Sequence, residues 1–357
     1  MVEWKKLGDV ANLVRGKVIS KDFIRDNAGI YPVYSSQTAN DGVLGYIDSY
    51  MFDGDFLTWT TDGAYAGTIF RRKGRFNITN VCGLMDITDQ RLLQDYLYYW
   101  LSLIAKSYVQ EGMGNPKLMS NVASTILIPI PSLSEQQRIV SILDTFTSSI
   151  SNLKQQIEER RKQYEYERDL LLDLEGKEGV EMKVEDFCVL KAGKNIKADD
   201  ISEENIESHY PCFGGNGIRG FVSFYSHDGQ YPIIGRQGAL CGCVAWATGK
   251  FYATEHAVVV TGKNMVCQRF LLHLFQYANL NQYKSQGAQP GLSVAKLNEI
   301  KFFIPPLSTQ SRIVSILDTF EQSISNLEEQ LAMREKQYEY YRNQLLTFEG
   351  EEERGKT

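Results

Sequence analysis

Between residues 133 and 176, apolar side chains recur in alternating steps of four and three: Ile139, Leu143, Phe146, Ile150, Leu153 and Ile157, then Arg160, Tyr164, Glu167, Leu171 and Leu174. The same stepping returns at Ile313, Leu317, Phe320, Ile324, Leu327 and Leu331, then Arg334, Tyr338, Tyr341, Leu345 and Phe348. A 3.5-residue period sustained over about five heptads is the seam of a coiled coil. A helix of ~40 residues is roughly 60 Å long at 1.5 Å per residue. Ser134 and Ser308 stand where helix starts belong, behind proline lead-ins, and Gly176 and Gly350 stand where stops belong. Arg160 and Arg334 interrupt the two seams at matching places. A seam arginine costs stability unless it is partnered. Antiparallel pairing of the two helices predicts a carboxylate for each, such as Glu165 or Glu339.

The two helical segments are copies. Ile139 to Phe146 recurs unchanged as Ile313 to Phe320, Ser149 to Leu153 as Ser323 to Leu327, and Lys162 to Tyr166 as Lys336 to Tyr340. About 29 of 44 positions match between residues 133–176 and 307–350. The upstream segments correspond more faintly: Val2-Glu3-Trp4-Lys5 with Val180-Glu181-Met182-Lys183, Tyr31-Pro32 with Tyr210-Pro211, and Gly63-Ala64 and Gly67 with Gly238-Ala239 and Gly242. Self-similarity of this kind defines the organisation before any motif does. It gives a variable module at 1–130, a uniform helix at 131–178, a second module at 179–304, a second helix at 305–350, and a polar tail at 351–357. The modules read as mixed α and β. Strands are expected at residues 45–47, 56–60, 67–70 and 257–260, with helices at Leu92 to Ala105 and Gln268 to Ala278. Gly114-Asn115-Pro116 and Gln289-Pro290-Gly291 mark equivalent turns. The fold class is α+β: two mixed α/β modules separated by two long antiparallel helices, with a pseudo-twofold internal repeat.

Composition narrows the class. A chain of 357 residues, 43% hydrophobic and 23% charged, has the length for two or three domains and is not composed like a disordered chain. Six cysteines give no disulfide lattice and suggest a reducing compartment. The opening MVEWKKLGDV lacks a signal-peptide pattern, and no run approaches the ~18 apolar residues of a membrane span. A cytoplasmic protein is expected. The net charge of -6 argues at first against nucleic acid. However, residues 1–130 are neutral and 179–304 carry +1, while the helical segments 131–178 and 305–357 carry -3 and -4. A neutral module can still present a positive face.

The segments PSLSEQQRIVSILDTF and PPLSTQSRIVSILDTF, each followed by a long helix, resemble the conserved regions of the specificity subunits of type I restriction-modification enzymes. So do the openings VEWKKLGDV and VEMKVEDF and the stretch IIGRQGALCG to FYATEHAVVV. The resemblance covers essentially the whole chain. It implies that the modules are target recognition domains, each reading one half of a split site in double-stranded DNA. It implies that the helices set the spacing and dock two modification subunits. It further implies a chain that is not catalytic and holds no cofactor. Adenine methylation with S-adenosylmethionine belongs to the modification subunits, and cleavage with ATP and Mg to the restriction subunits. The duplication itself suits a local DNA twofold, and unlike modules predict an asymmetric target.

No competing chemistry stands out. Gly215-Asn216-Gly217-Ile218-Arg219-Gly220 satisfies a G-x-G-x-x-G pattern, but Phe221 to Tyr225 reads as a strand where a helix is required, which favours a glycine-rich turn. Cys241-Gly242-Cys243 lacks the second pair of ligands that zinc demands, so no metal is expected. Glu255-His256 is tied to no nucleophile motif. Asn115-Pro116-Lys117 lacks the second proline and aromatic of an adenine methyltransferase motif. Candidate base-reading residues are Arg236 and Gln237, opposite Thr61 and Asp62 in the first module, together with Asn216, Arg219, Lys284, Gln286 and Gln289. Candidate phosphate contacts are Lys117, Arg71, Arg72, Lys73 and Arg75. For any one of them a solvated surface charge is the plainer reading. A coiled-coil scaffold whose modules bind proteins is the alternative function.

Overall fold

The computed structural model describes residues 2–111, 114–175, 178–238, 240–285 and 290–348. The expected stops Gly176 and Gly350, the tail 351–357, and the candidates Gln286 and Gln289 lie outside these residues.

Contacts divide the chain into two units: residues 1–152 with 332–357, and residues 153–331. Unit 1 begins with β1 (Glu3–Lys6), α1 (Leu7–Val10), β2 (Ala11–Arg15) and α2 (Lys21–Asp26). The strands β3 (Ala28–Tyr34), β4 (Val43–Ile47), β5 (Phe52–Thr60), β6 (Ile69–Ile78) and β7 (Cys82–Ile87) follow. After α3 (Gln94–Ile104) and α4 (Ser120–Ala123), β8 (Leu127–Ile130) leads into the long helix α5 (Leu133–Leu172). Its main sheet has six strands in the order β2-β7-β5-β6-β3-β4, and β1 pairs antiparallel with β8.

Unit 2 repeats the plan. It contains β9 (Val180–Lys183), α6 (Val184–Phe187), β10 (Cys188–Ala192), β11 (Tyr210–Gly214), β12 (Gly217–Val222), β13 (His227–Gly235), β14 (Val244–Ala253) and β15 (Ala257–Gly262). Then come α7 (Gln268–Tyr277), α8 (Val294–Asn298), β16 (Lys301–Ile304) and the second long helix, α9 (Leu307–Leu345). The sheet order β10-β15-β13-β14-β11-β12 is the same order one copy later, and β9 pairs with β16.

Each unit buries the start of one long helix and the end of the other against its module. In unit 1, Leu57, Trp59 and Met85 of the sheet meet Tyr96, Leu97, Trp100 and Leu101 of α3, and Ile139 and Leu143 of α5 join the same core. The end of the other helix closes it: Leu346 is buried there, and Phe348 meets the rings of Trp4, Tyr96 and Trp100 edge-on. In unit 2, Phe187, Val258, Phe270 and Leu274 pack with Ile313 and Leu317, and Leu172 and Leu174 close the core.

The seam residues pair antiparallel within each unit. Phe146 stacks on Tyr341 and lies beside Tyr338 in unit 1, and Tyr164 lies beside Phe320 in unit 2. Ile150, Leu153, Ile324 and Leu327 are half-buried along the same faces. The seam arginines find rings rather than the expected carboxylates. Arg160 lies 5.8 Å over Phe320 and Arg334 lies 5.7 Å over Phe146. This register sets a phenyl ring opposite each cation, and the ring face attracts it. The helix start also lies two residues earlier than expected. Ser132, not Ser134, caps α5 through Glu135 N–H at 3.3 Å, and the matching place before α9 is Pro306.

Candidate nucleic-acid interface

The loop after β5 and the loop after β13 are built on one backbone frame. Thr61 N–H donates to Val81 C=O at 3.1 Å, and Arg236 N–H donates to His256 C=O at 2.9 Å. Leu118 N–H donates to Thr61 C=O and Leu292 N–H to Arg236 C=O, at 2.9 and 2.8 Å. Gly63 N–H donates to Pro116 C=O and Gly238 N–H to Pro290 C=O, at 3.0 and 3.1 Å. Gly63 and Gly238 have φ near +95 and +94, a left-handed conformation that favours glycine, and a Cβ on either would meet open space. These bonds draw the β6–β7 turn and the segment before α4 to the β5 loop, and their counterparts in unit 2, so that one corner of each sheet collects side chains from several loops.

In unit 1 the corner is ionic. Asp62 accepts from the buried Thr61 hydroxyl at 2.7 Å and lies between two cations, Arg15 at 3.9 Å and Lys117 at 3.8 Å. Arg15, at the end of β2, also donates to Asn80 C=O and reaches the Met119 sulfur at 3.5 Å, while its Nε is buried without a partner among the described residues. Tyr65 stands exposed at the loop tip.

In unit 2 a cleft of about 660 Å³ is lined by Asn216, Arg219, Gln237, Gly238, His256 and Pro290. Asn216 and Arg219 come from the β11–β12 hairpin, so the G-x-G-x-x-G stretch is the turn and second strand of a hairpin. His256 Nε2 is 3.2 Å from Glu255, whose other oxygen, Oε2, is buried without a partner. Arg236 is half-buried beside the cleft, and Leu240 is the exposed tip residue.

The structure therefore brings Asp62 and Lys117 together with Thr61 beneath them, and gathers Asn216, Arg219 and Gln237. Lys284 donates to Asn281 at 2.9 Å. Arg15 was not legible as a partner of Asp62, because the two are joined only by strand order.

The basic run Arg71 to Arg75 lies on one strand. It continues β6, where successive side chains take opposite faces. Arg72 is buried between the rings of Tyr34 and Phe70 and pairs with Asp41 at 2.6 Å. Arg71 is held by Asp95 at 2.8 Å and Asp144 at 3.2 Å, over Tyr98 and Tyr99. Arg75 pairs with Asp53 at 2.9 Å and Lys73 with Asp55 at 3.9 Å, their cross-strand neighbours. Arg71, Arg72 and Arg75 are thus bonded directly to carboxylates, while Lys73 is exposed.

Where module meets helix, unit 2 rebuilds the Arg71 junction from other elements. Arg269 of α7 pairs with Asp318 at 2.8 Å and with Glu321, beside the Trp246 ring. Buried His273 contacts Asp318 at 2.8 Å, as Tyr99 donates to Asp144 at 2.5 Å in unit 1. Burial pushes the His273 imidazole below its usual range, outweighing the nearby carboxylates. His273, Asp318 and Glu321 are the group of metal-ligating type among the described residues, but Arg269 already occupies both carboxylates. The six cysteines are free, and burial pushes the thiols of Cys82 and Cys188 up to about 12. No described helix is long and apolar enough to cross a membrane.

Comparison with known proteins bears on what these corners serve. A family profile described as the type I restriction modification DNA specificity domain matches residues 1–160 and 177–333. The specificity subunit of the Escherichia coli type I restriction enzyme EcoprrI is 45% identical over 208 residues, covering 56% of this chain and 52% of that protein. A Mycoplasma pneumoniae protein named as a type I specificity subunit is 29% identical over 358 residues, covering 96% of each. The crystal structure of the S subunit of a type I restriction-modification system from M. genitalium shares the fold with a TM-score of 0.72 at 16% identity, over 97% of both chains.

Proposed function

The chain belongs to the type I restriction-modification DNA specificity family, and from that premise we propose that it is the sequence-reading subunit of such a system. Each module reads one half of a split, asymmetric site in duplex DNA. The long helices fix the spacing, and their near-identical sequences dock two modification subunits. The chain catalyses nothing itself. Adenine methylation with S-adenosylmethionine, and cleavage with ATP and Mg, are carried by partner subunits.

One observation supports this reading above the others: the same sheet order and the same loop frame occur twice, carrying different side chains. A scaffold with two equal protein-binding modules has no need for that difference. Two readers of unlike half-sites require it. The whole-chain acidity is no obstacle, because it resides in residues 131–178 and 305–357, outside the two modules.

The test is DNA binding by the assembled complex as a function of salt, together with mapping of methylated adenines in cells carrying it. We expect a split motif with two unlike halves, and an affinity that falls steeply with salt as condensed ions are released. Binding with a salt slope near zero, or methylation without a split motif, refutes the proposal.

A further inference from the structure

Comparison of the two corners separates what holds the backbone from what the backbone displays. Five pairs of frame positions keep their residue type, Gly63 and Gly238, Gly67 and Gly242, Thr79 and Thr254, Pro116 and Pro290, Leu118 and Leu292, while Thr61 and Arg236, and Val81 and His256, join the frame through backbone atoms and differ in side chain. Positions that face out of it change chemistry entirely. Asp62 becomes Gln237, Tyr65 becomes Leu240, Asn80 becomes Glu255, and Val81 becomes His256. A stabilising role would preserve the type of side chain, as it does in the frame. Display of unlike chemistry on one rigid frame is what discrimination between unlike sequences demands.

Two further features mark the corners. Each corner includes a buried polar atom with no partner among the described residues, the donor Arg15 Nε in unit 1 and the acceptor Glu255 Oε2 in unit 2; Ser120, His209 and His273 also hold such an atom each. Buried polar atoms are otherwise paired in folded proteins. Lys117 stands 3.8 Å from Asp62, beyond direct hydrogen-bond range, so that pair does not consume its donors, while Arg15, 3.9 Å from Asp62, also donates to Asn80 C=O. Each corner carries one more cation than anion: Arg15 and Lys117 against Asp62, and Arg219 and Arg236 against Glu255.

We propose that these two corners are the base-reading surfaces of the modules, an assignment that rests on the functional reading above. Arg15 and Lys117 donate to guanine, and Asp62 accepts from an exocyclic amino group in the first half-site. Asn216 and Gln237 pair with adenine, and Arg219 donates to guanine in the second. These are the pairings that base-edge geometry favours. Tyr65 and Leu240 supply an apolar contact at the same place in each module. The run Arg71 to Arg75 takes no part.

The experiment compares methylated motifs in cells carrying the complete system with the wild-type chain or with one of four variants: Asp62→Asn, Lys117→Ala, Arg219→Ala and Gln237→Ala. The first two relax or change bases in one half of the motif only, and the last two in the other half only, with discrimination at the affected base falling about tenfold or more. A wild-type chain that directs no split motif defeats the functional reading itself. A wild-type split motif that all four variants keep intact in both halves overturns the corner assignment and leaves that reading standing. If a variant abolishes methylation, equilibrium binding of the purified complex to duplexes substituted in one half decides the matter. Lost discrimination in one half supports the assignment. Weakening with wild-type discrimination in both halves overturns it.

Discussion

Gln136 and Gln310 perform the same task in the two copies. Gln136 is fully buried, accepts from Leu93 N–H at 2.8 Å, and donates to the carbonyls of Arg91 and Pro131. Gln310 repeats this with Cys267, Met265 and Pro305. One amide thus satisfies three backbone groups that would otherwise be buried unpaired, each at about 1–3 kcal/mol. Gln136→Leu is expected to cost about 3 kcal/mol, read as a lower urea midpoint at unchanged slope. His273 gives a second residue-scale prediction. Its folded pKa lies below the unfolded value near 6.5, so the stability it contributes is present above pH ~6.5 and is lost as pH falls through the folded value. Asp318, Glu321 and Arg269 face it. His273→Tyr copies the residue at the matching place in the first module, Tyr99, and keeps a donor for Asp318. Its melting temperature is expected to fall less than that of the wild type between pH 7.5 and 5.5.

At the scale of elements, the basic run and the seam arginines show how pairing redistributes charge. Arg71 to Arg75 reads as a solvated patch in sequence, yet strand alternation turns Arg72 inward to Asp41, Arg71 meets Asp95 and Asp144, and Lys73 and Arg75 face the cross-strand carboxylates Asp55 and Asp53. Arg72→Ala is accordingly expected to lower stability, by about 2 kcal/mol or more through the carboxylate and rings it abandons, while leaving the salt dependence of DNA binding unchanged. Arg160 and Arg334 rest on phenyl rings because the antiparallel register places Phe320 and Phe146 opposite them. Arg160→Glu removes that attraction and is expected to cost about 1 kcal/mol in thermal or denaturant unfolding.

For the whole molecule, the paired helices and the two modules have to be altered together. The pairs Phe146–Tyr338 and Tyr164–Phe320 share one register. Four residues added to a single helix would throw one pair out of phase with the other. Four added to each, after Asn152 and after Leu331, add about 6 Å at 1.5 Å per residue. Methylation mapping is then expected to show a spacer longer by one or two base pairs at ~3.4 Å each. Insertion into one helix alone is expected to lower the melting temperature instead.

The duplication, the two long helices and the α+β class were written in the one-dimensional pattern, because heptad period and repetition are properties of neighbouring residues. Helix α3 and strands β4, β5 and β15 were legible for the same local reason. The candidates Asp62, Lys117, Asn216, Arg219 and Gln237 were legible as polar side chains on glycine-rich turns. That Thr61 and Arg72 are buried, that Arg15 stands beside Asp62, and that the seam arginines face rings depended on which distant segments the sheet order and helix register bring together. Those are long-range pairings, and no single stretch of chain encodes them. Sequence fixed the kind of elements and their number of copies; only the folded chain decided which charges neutralise one another and which remain turned outward.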